Sequence, residues 1–215
     1  MKFCRKCGTD EWVNMNNEMK ARKFLNVGGN RKDISVPSYF DGWDHVLLDI
    51  DPAGDPDIVC DARELRTLEP GQFHAVYCSH NLEHYYHHEV PNVLQGFCHV
   101  LKPTGFALIS VPDMESVMRT VVEQELDLDD VLYELDNGIE ILVRDVFYGW
   151  GLQMKSSGQD YYAHKTGFTQ KSLKAVLMSN GFKHFWVQHT PFNLTVVAFL
   201  RKPSKWARDL MGLPE

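Results

Sequence analysis

Short blocks of consecutive apolar residues, each closed by a glycine, a proline or a carboxylate, dominate the pattern of this chain. Strands covered on both faces read this way, because a parallel sheet has no solvent side to impose alternation. The pattern predicts a first strand over 23–28, a second over 45–50, a short third over 57–61, a fourth over 73–78 and a fifth over 106–111. Between the last two, Val90, Val93, Leu94, Phe97 and Leu101 recur at helical spacing, and Lys102-Pro103-Thr104-Gly105 ends that periodicity. A crossover helix over 89–101 is therefore expected. Residues 31–44 contain Pro37, Gly42 and Trp43 and should be irregular. Strand and crossover in repetition predict an α/β fold built on a doubly wound sheet.

After the fifth strand the rhythm breaks. Residues 117–126 and 129–135 read as helices, Asp136-Asn137-Gly138 as a turn, 139–148 as a third apolar segment, and 149–151 and 156–158 as flexible joints. Insertions in open α/β sheets lie over the carboxyl ends of the strands, so 113–165 is expected to be a helical lid above a substrate. Thr169 is placed to cap a helix running through Ser172 to Asn180, with Gly181 as its stop. Two further strands, 185–187 and 194–199, are separated only by Thr190, Pro191, Phe192 and Asn193, which predicts an antiparallel hairpin. The sheet is then seven-stranded, Rossmann-like, with an antiparallel last strand. A short helix over 206–211 closes the chain.

Composition narrows the setting. Of 215 residues, 44% are hydrophobic, enough for a full α/β core, and the formal net charge is −7. That charge would repel a nucleic-acid backbone, and no Lys/Arg-rich run offsets it. No apolar run reaches the roughly 18 residues of a membrane span, and the N-terminus lacks a signal-peptide apolar segment. A cytoplasmic protein with no nucleic-acid or membrane partner is expected; nothing marks an oligomeric state. Five cysteines without a secretion signal read as reduced thiols, with Cys60, Cys78 and Cys98 in apolar surroundings. Cys4 and Cys7 have the spacing of half a zinc knuckle, but there is no second pair. Asp10 or a distant histidine would have to complete it, so no metal is expected. Residues 1–22 read as a tail ahead of a domain over 23–215.

The candidate chemistry lies at the strand ends. Asn26-Val27-Gly28-Gly29-Asn30 closes the first strand with a turn where backbone can pass close to a ligand. Asp49, followed by Ile50 and Asp51, closes the second about twenty residues later, the distance at which a nucleotide-binding α/β unit offers a carboxylate to a ribose. Either acid could serve, with Asp49 preferred. Cys60-Asp61-Ala62 closes the third strand and Ser79-His80-Asn81-Leu82-Glu83-His84 the fourth.

Taken together with Val100-Leu101-Lys102-Pro103-Thr104-Gly105 and the closing hairpin, these segments resemble a class I S-adenosylmethionine-dependent methyltransferase of the "type 11" group, over roughly residues 23–202. The resemblance implies that Gly28 and Gly29 pack against the methionyl part of the cofactor, with Asn26 and Asn30 beside them. It implies that Asp49, with Ile50 alongside, binds the ribose hydroxyls, that Asp61 and Ala62 meet the adenine, and that Ser79 and His80 line the floor beside the sulfonium. S-adenosylhomocysteine would be the product, and the acceptor a small molecule or a glycan precursor. This chain departs from the family at Asn26, where Asp or Glu is usual, and at Asn30, where Gly is usual. Histidine suits a general base, and His80, His84, His87, His88 and His164 are available, with His80 and His84 nearest the expected site. Tyr85-Tyr86 and Tyr161-Tyr162 could build an aromatic acceptor pocket. Two rivals stand beside this reading. A nucleotide-dependent oxidoreductase would need a G-x-G-x-x-G turn and a parallel sixth strand, and neither is present. A catalytically silent methyltransferase-like scaffold is compatible with the altered first motif.

Overall fold

The computed structural model describes residues 22–135 and 137–214. Cys4, Cys7 and the rest of the expected tail up to residue 21 lie outside the described residues. Strands β1 (Lys23–Val27), β2 (Asp44–Asp49), β3 (Ile58–Val59), β4 (Phe73–Ser79) and β5 (Leu101–Pro112) form the parallel part of a seven-stranded sheet. The helix α1 (Val90–Val100) crosses from β4 to β5. Strands β8 (His184–Thr190) and β9 (Asn193–Phe199) complete the sheet, in the order β3-β2-β1-β4-β5-β9-β8, with β9 antiparallel to both neighbours. The hairpin and the antiparallel last strand thus stand as the sequence predicts.

Register brings the strand ends level. Val27 pairs with Leu48 and with Cys78, and Asp49 pairs with Val59. The residues that follow, Gly28, Ile50, Cys60 and His80, therefore leave the sheet along one edge. The reversal of strand order between β1 and β4 opens a crevice there, as in other open α/β sheets.

Each face has its own core. One is aliphatic: Leu25, Val76, Ile109 and Val196 pack against Val93, Leu94 and Phe97 of α1 and Leu173 and Leu177 of the helix over Gln170–Ser179. The other is aromatic: Phe24, Phe40, Trp43, Phe106 and Phe199 pack with Trp206 of the C-terminal helix, Phe40 stacking on Phe24 at 4.3 Å between ring centres. Arg22 lies over the Trp206 ring, 4.3 Å from its centre. No helix among the described residues is long and apolar enough to cross a membrane.

The insertion is where the sequence expectations need correcting. Its first helix, α2 (Met114–Glu123), starts three residues earlier than expected, because Asp113 caps it by accepting from the amides of Glu115 and Ser116. The helix expected over 129–135 is instead strand β6 (Val131–Glu134), paired with β7 (Glu140–Leu142). Val131 and Tyr133 favour a pleated surface, and Asn137-Gly138 is a hairpin turn rather than a break between helices. The apolar run 139–148 divides between β7 and α3 (Val143–Tyr148), while the stretch expected to be flexible contains α4 (Gly151–Ser157). Downstream, α5 (Gln170–Ser179) starts at Thr169, whose hydroxyl accepts from the Ser172 amide, as expected, and α6 (Lys205–Met211) ends the chain. β5 also begins earlier than expected: Phe73 pairs with Leu101 but Ala75 with Phe106, so Lys102–Gly105, which follow the end of α1, bulge out of the ladder.

Phe106 touches Phe40, Trp43, Phe199 and Trp206 and is fully buried. Phe106→Ala should lower the unfolding free energy by about 3–5 kcal/mol, measured by denaturant titration. A loss below ~1 kcal/mol would mean that the aromatic layer is not a core.

Candidate active site

At the level strand edge lies a cleft of about 260 Å³. Of the residues expected at the site, Gly28, Asn30, Asp49, Ile50, Asp61, His80 and His84 line it. Asp49 is 8% exposed, and its orientation is fixed from both sides. Oδ2 accepts from the Asn30 amide at 2.8 Å and Oδ1 from the Asp51 amide at 2.9 Å. Each oxygen keeps a further lone pair for a ligand hydroxyl. Asp51 is used otherwise: it accepts from the Ala53 amide and from the Tyr162 hydroxyl at 3.4 Å. Ile50, 42% exposed, offers the cleft an apolar surface next to that carboxylate.

Gly28 has φ +71, and a Cβ there would meet the Asn81 side chain at 2.1 Å, so only glycine fits. Asn30 holds φ 59, a region its side chain tolerates. Gly29 and Asn26 are not cleft walls. Asn26 is 3% exposed with Nδ2 3.2 Å from His45 Nε2, and a Cβ on Gly29 would collide with its side chain. Asn26 thus supports the turn from beneath. Ala62, 1% exposed, and Ser79, within the β4–β5 ladder, also lie behind the wall.

Asp61 opens onto the cleft but is already engaged. It caps the 3-10 turn over Ala62–Thr67 by accepting from the Arg63 amide, and its carboxylate pairs with the Arg63 guanidinium at 2.5 Å. Arg63 also pairs with Glu89. Burial opposes the charge on Asp61, yet Arg63 holds its carboxyl below the usual range. Arg63, Asn81, Glu89 and Lys165 were not singled out by the sequence. Their signal is weak, since each lies in a loop or at a helix start whose path the sequence does not reveal. The tyrosine pairs expected around an acceptor, Tyr85-Tyr86 and Tyr161-Tyr162, line this cleft instead.

His80 is the hinge of the site. It directly follows β4, holds φ 49, and its amide donates to the Ser110 carbonyl. It lines the cleft and also a second cavity of about 300 Å³, walled by Tyr133, Leu135, Ile141, Asp145, Val146, Trp150 and His164 of the insertion, together with Pro112, Phe192 and Asn193. Its Nδ1 lies 3.4 Å from Oε1 of Glu83, a side chain 1% exposed. Burial disfavours charge on both, but each favours it in the other, holding His80 above and Glu83 below its ordinary pKa. His84 packs its ring 5.0 Å from that of His164. His87 and His88 are exposed and lie outside both cavities. Cys78 is buried in the core; Cys60 and Cys98 are partly buried at its margin, and all three are free thiols.

The family model of a methyltransferase domain matches residues 43–109, from the start of β2 into β5. The fold is similar to that of an S-adenosylmethionine-dependent methyltransferase from Archaeoglobus fulgidus, at 15% identity over 89% of this chain and 94% of that one, TM-score 0.54. It is also similar to one from Methanosarcina mazei, at 14% identity over 88% and 98%, TM-score 0.52. A third, from Thermotoga maritima, is described as a possible histamine N-methyltransferase and shares 11% identity over 89% of each chain, TM-score 0.53. No curated protein matches the chain.

Gly28→Ala should cost at least about 1–2 kcal/mol through the left-handed backbone alone, with the Asn81 clash added. Its melting temperature should fall, and an unchanged one would show that the turn is not as tight as described.

Proposed function

We propose that this chain, which carries a methyltransferase domain of the S-adenosylmethionine-dependent kind, methylates a small-molecule acceptor or a glycan precursor held under residues 113–165. One observation carries the reading: His80 belongs to both cavities, one shaped for the cofactor and the other roofed by the insertion. A group at that junction would touch both reactants.

The cleft fits the cofactor. Asp49, preoriented by two backbone amides, would receive the ribose hydroxyls, a bidentate task suited to a carboxylate. Ile50 and the Asp61–Arg63 pair would flank the adenine, and the Gly28 turn would face the methionyl chain. The bound cofactor supplies a methyl group on a positively charged sulfur, open to in-line displacement. What remains for the protein is alignment and the acceptor's proton. His80 would take that proton at Nε2, with Nδ1 steadied by Glu83. The second cavity is mostly apolar and aromatic, with Asp145, Asn193 and His164 as polar points. That lining favours a compact, partly apolar acceptor with one nucleophilic oxygen or nitrogen.

The scaffold reading keeps one supporting observation. Asn26, where the family carries an acid, is packed under Gly29 and brings no charge to the cofactor's amino group. Calorimetry separates the two: the enzyme reading expects saturable binding of S-adenosylmethionine, and absence of binding at millimolar concentration favours the scaffold. Asp49→Ala should weaken that binding by about 1.5–3 kcal/mol, roughly 10- to 150-fold in Kd. Unchanged affinity would remove Asp49 from the site. With an acceptor found by mass-spectrometric screening of small hydroxylated and amino compounds, His80→Gln should lower kcat by about 10²–10⁴-fold. Cofactor Kd should stay within a few-fold, and an unaltered kcat would exclude His80 as the base.

A further inference from the structure

Glu83 is a buried carboxylate with a single close partner, His80 Nδ1 at 3.4 Å from Oε1. It is 1% exposed, and neither Oε1 nor Oε2 makes a hydrogen bond among the described residues. A buried carboxylate is rarely tolerated inside a protein unless it is paired or coordinates a metal, and the His80 pair meets only one of its two oxygens. The atoms around it are imidazole nitrogens. His164 Nε2 lies 4.0 Å from Oε1, and a nitrogen of His84 lies within 4.8 Å of both ligand atoms.

The state of His164 sharpens the point. Its Nδ1 lies 2.8 Å from the Val146 carbonyl. A carbonyl only accepts, so Nδ1 carries the proton and Nε2 presents a bare lone pair. At 4.0 Å, a lone pair facing a carboxylate oxygen leaves space between them that a cation would fill. A histidine that donates one nitrogen to a backbone carbonyl and offers the other is the arrangement found in metal ligands. Two donors each about 2.0–2.2 Å from one tetrahedral ion stand about 3.4 Å apart, so His164 and Glu83, at 4.0 Å, would draw slightly together around it. His84 differs: both of its ring nitrogens face backbone carbonyls, and one would have to turn away to reach an ion. Its Nδ1 lies 3.1 Å from the Ala163 carbonyl and its Nε2 3.1 Å from the His80 carbonyl, and a neutral ring can donate to only one of them.

The backbone holds these groups in place. The Glu83 carbonyl accepts from the amides of Lys165 and Thr166, at 2.8 and 3.1 Å, which pins the end of the insertion to the segment after β4. The His164 amide donates to the Tyr148 carbonyl, and Gly149 bridges to Ala163. Ligands 80 residues apart are thus juxtaposed by main-chain contacts and not by their own attraction.

We propose that Glu83, His84 and His164 form a binding site for one first-row divalent transition-metal ion of the zinc class, with His80 at its edge. Two imidazoles and one carboxylate suit such ions, whereas magnesium and calcium prefer all-oxygen shells. His164 also lines the cavity under the insertion, so an open coordination position would face it. On the reading that the acceptor occupies that cavity, the ion would hold the acceptor's oxygen or nitrogen and make it more acidic. Only this role rests on that reading; the site itself does not. The rival is a metal-free cluster in which Glu83 is paired with His80 alone.

The test uses the full chain, untagged, with Cys4→Ser and Cys7→Ser so that their thiols cannot bind the ion, and dialysed against a chelator. Titration with Co²⁺ should give a saturable visible d–d spectrum at about one equivalent, displaced by Zn²⁺. Glu83→Gln and His164→Gln should each weaken it by at least about tenfold, while His87→Ala, on the surface, leaves it unchanged. Far-UV circular dichroism identifies any variant that does not fold; the remaining one then decides. Absence of a saturable spectrum in the folded parent, or binding indifferent to the folded Glu83 or His164 variant, overturns the site. Neither cofactor nor acceptor enters the measurement, so its failure and that of methyl transfer are separate results.

Discussion

Two hydrogen bonds to one carboxylate organise the ligand edge of this molecule. Asp49 accepts from Asn30, in the turn after β1, and from Asp51, in the turn after β2. One buried side chain thereby ties two neighbouring strand ends into a single rim. The tie works because the register already places Val27 beside Leu48, so Gly28 and Asp49 leave the sheet at the same level. Gly28 then lets the backbone turn where any Cβ would strike Asn81, the residue after His80. The β1, β2 and β4 turns are in this way interlocked before any ligand binds, which is the preorganisation that binding and catalysis both require.

The sheet was legible because its signal is local and redundant. Buried strands such as Phe24–Val27, apolar but for Asn26, and Val46–Leu48 read as apolar runs, and the glycine and aspartate that close them line the cleft. Thr169 with Ser172, and the short link from β8 to β9, are equally local signals. Much of the insertion was not legible. Strands β6 and β7 hold no fully buried residue, and Val131 and Leu135 are more than 40% exposed, so neither helical nor strand periodicity is enforced by a core. There the hairpin turn at Asn137-Gly138 outweighed helical propensity.

The site divides along the same line. Asp49 ends a strand and Gly28 and His80 directly follow one, so their place at the cleft could be read directly. Arg63, which occupies the Asp61 carboxylate, and Glu83, buried behind His80, could not. Their importance comes from partners 26 and 81 residues away, Glu89 and His164. Asn26 and Ala62 were expected at the cofactor on motif position alone. Their burial beneath the wall shows that a motif marks a segment more reliably than it assigns each side chain a contact.

The central claim is that the rim at Gly28, Asp49 and His80 is one adenosyl-binding cradle opening onto the cavity beneath the insertion. A crystal structure with S-adenosylhomocysteine bound tests it most directly. The account predicts both ribose hydroxyls within hydrogen-bond distance of Asp49 and the sulfur turned toward His80 and the cavity lined by Tyr133 and Trp150. Ligand bound elsewhere, or with its sulfur directed away from His80, would contradict it.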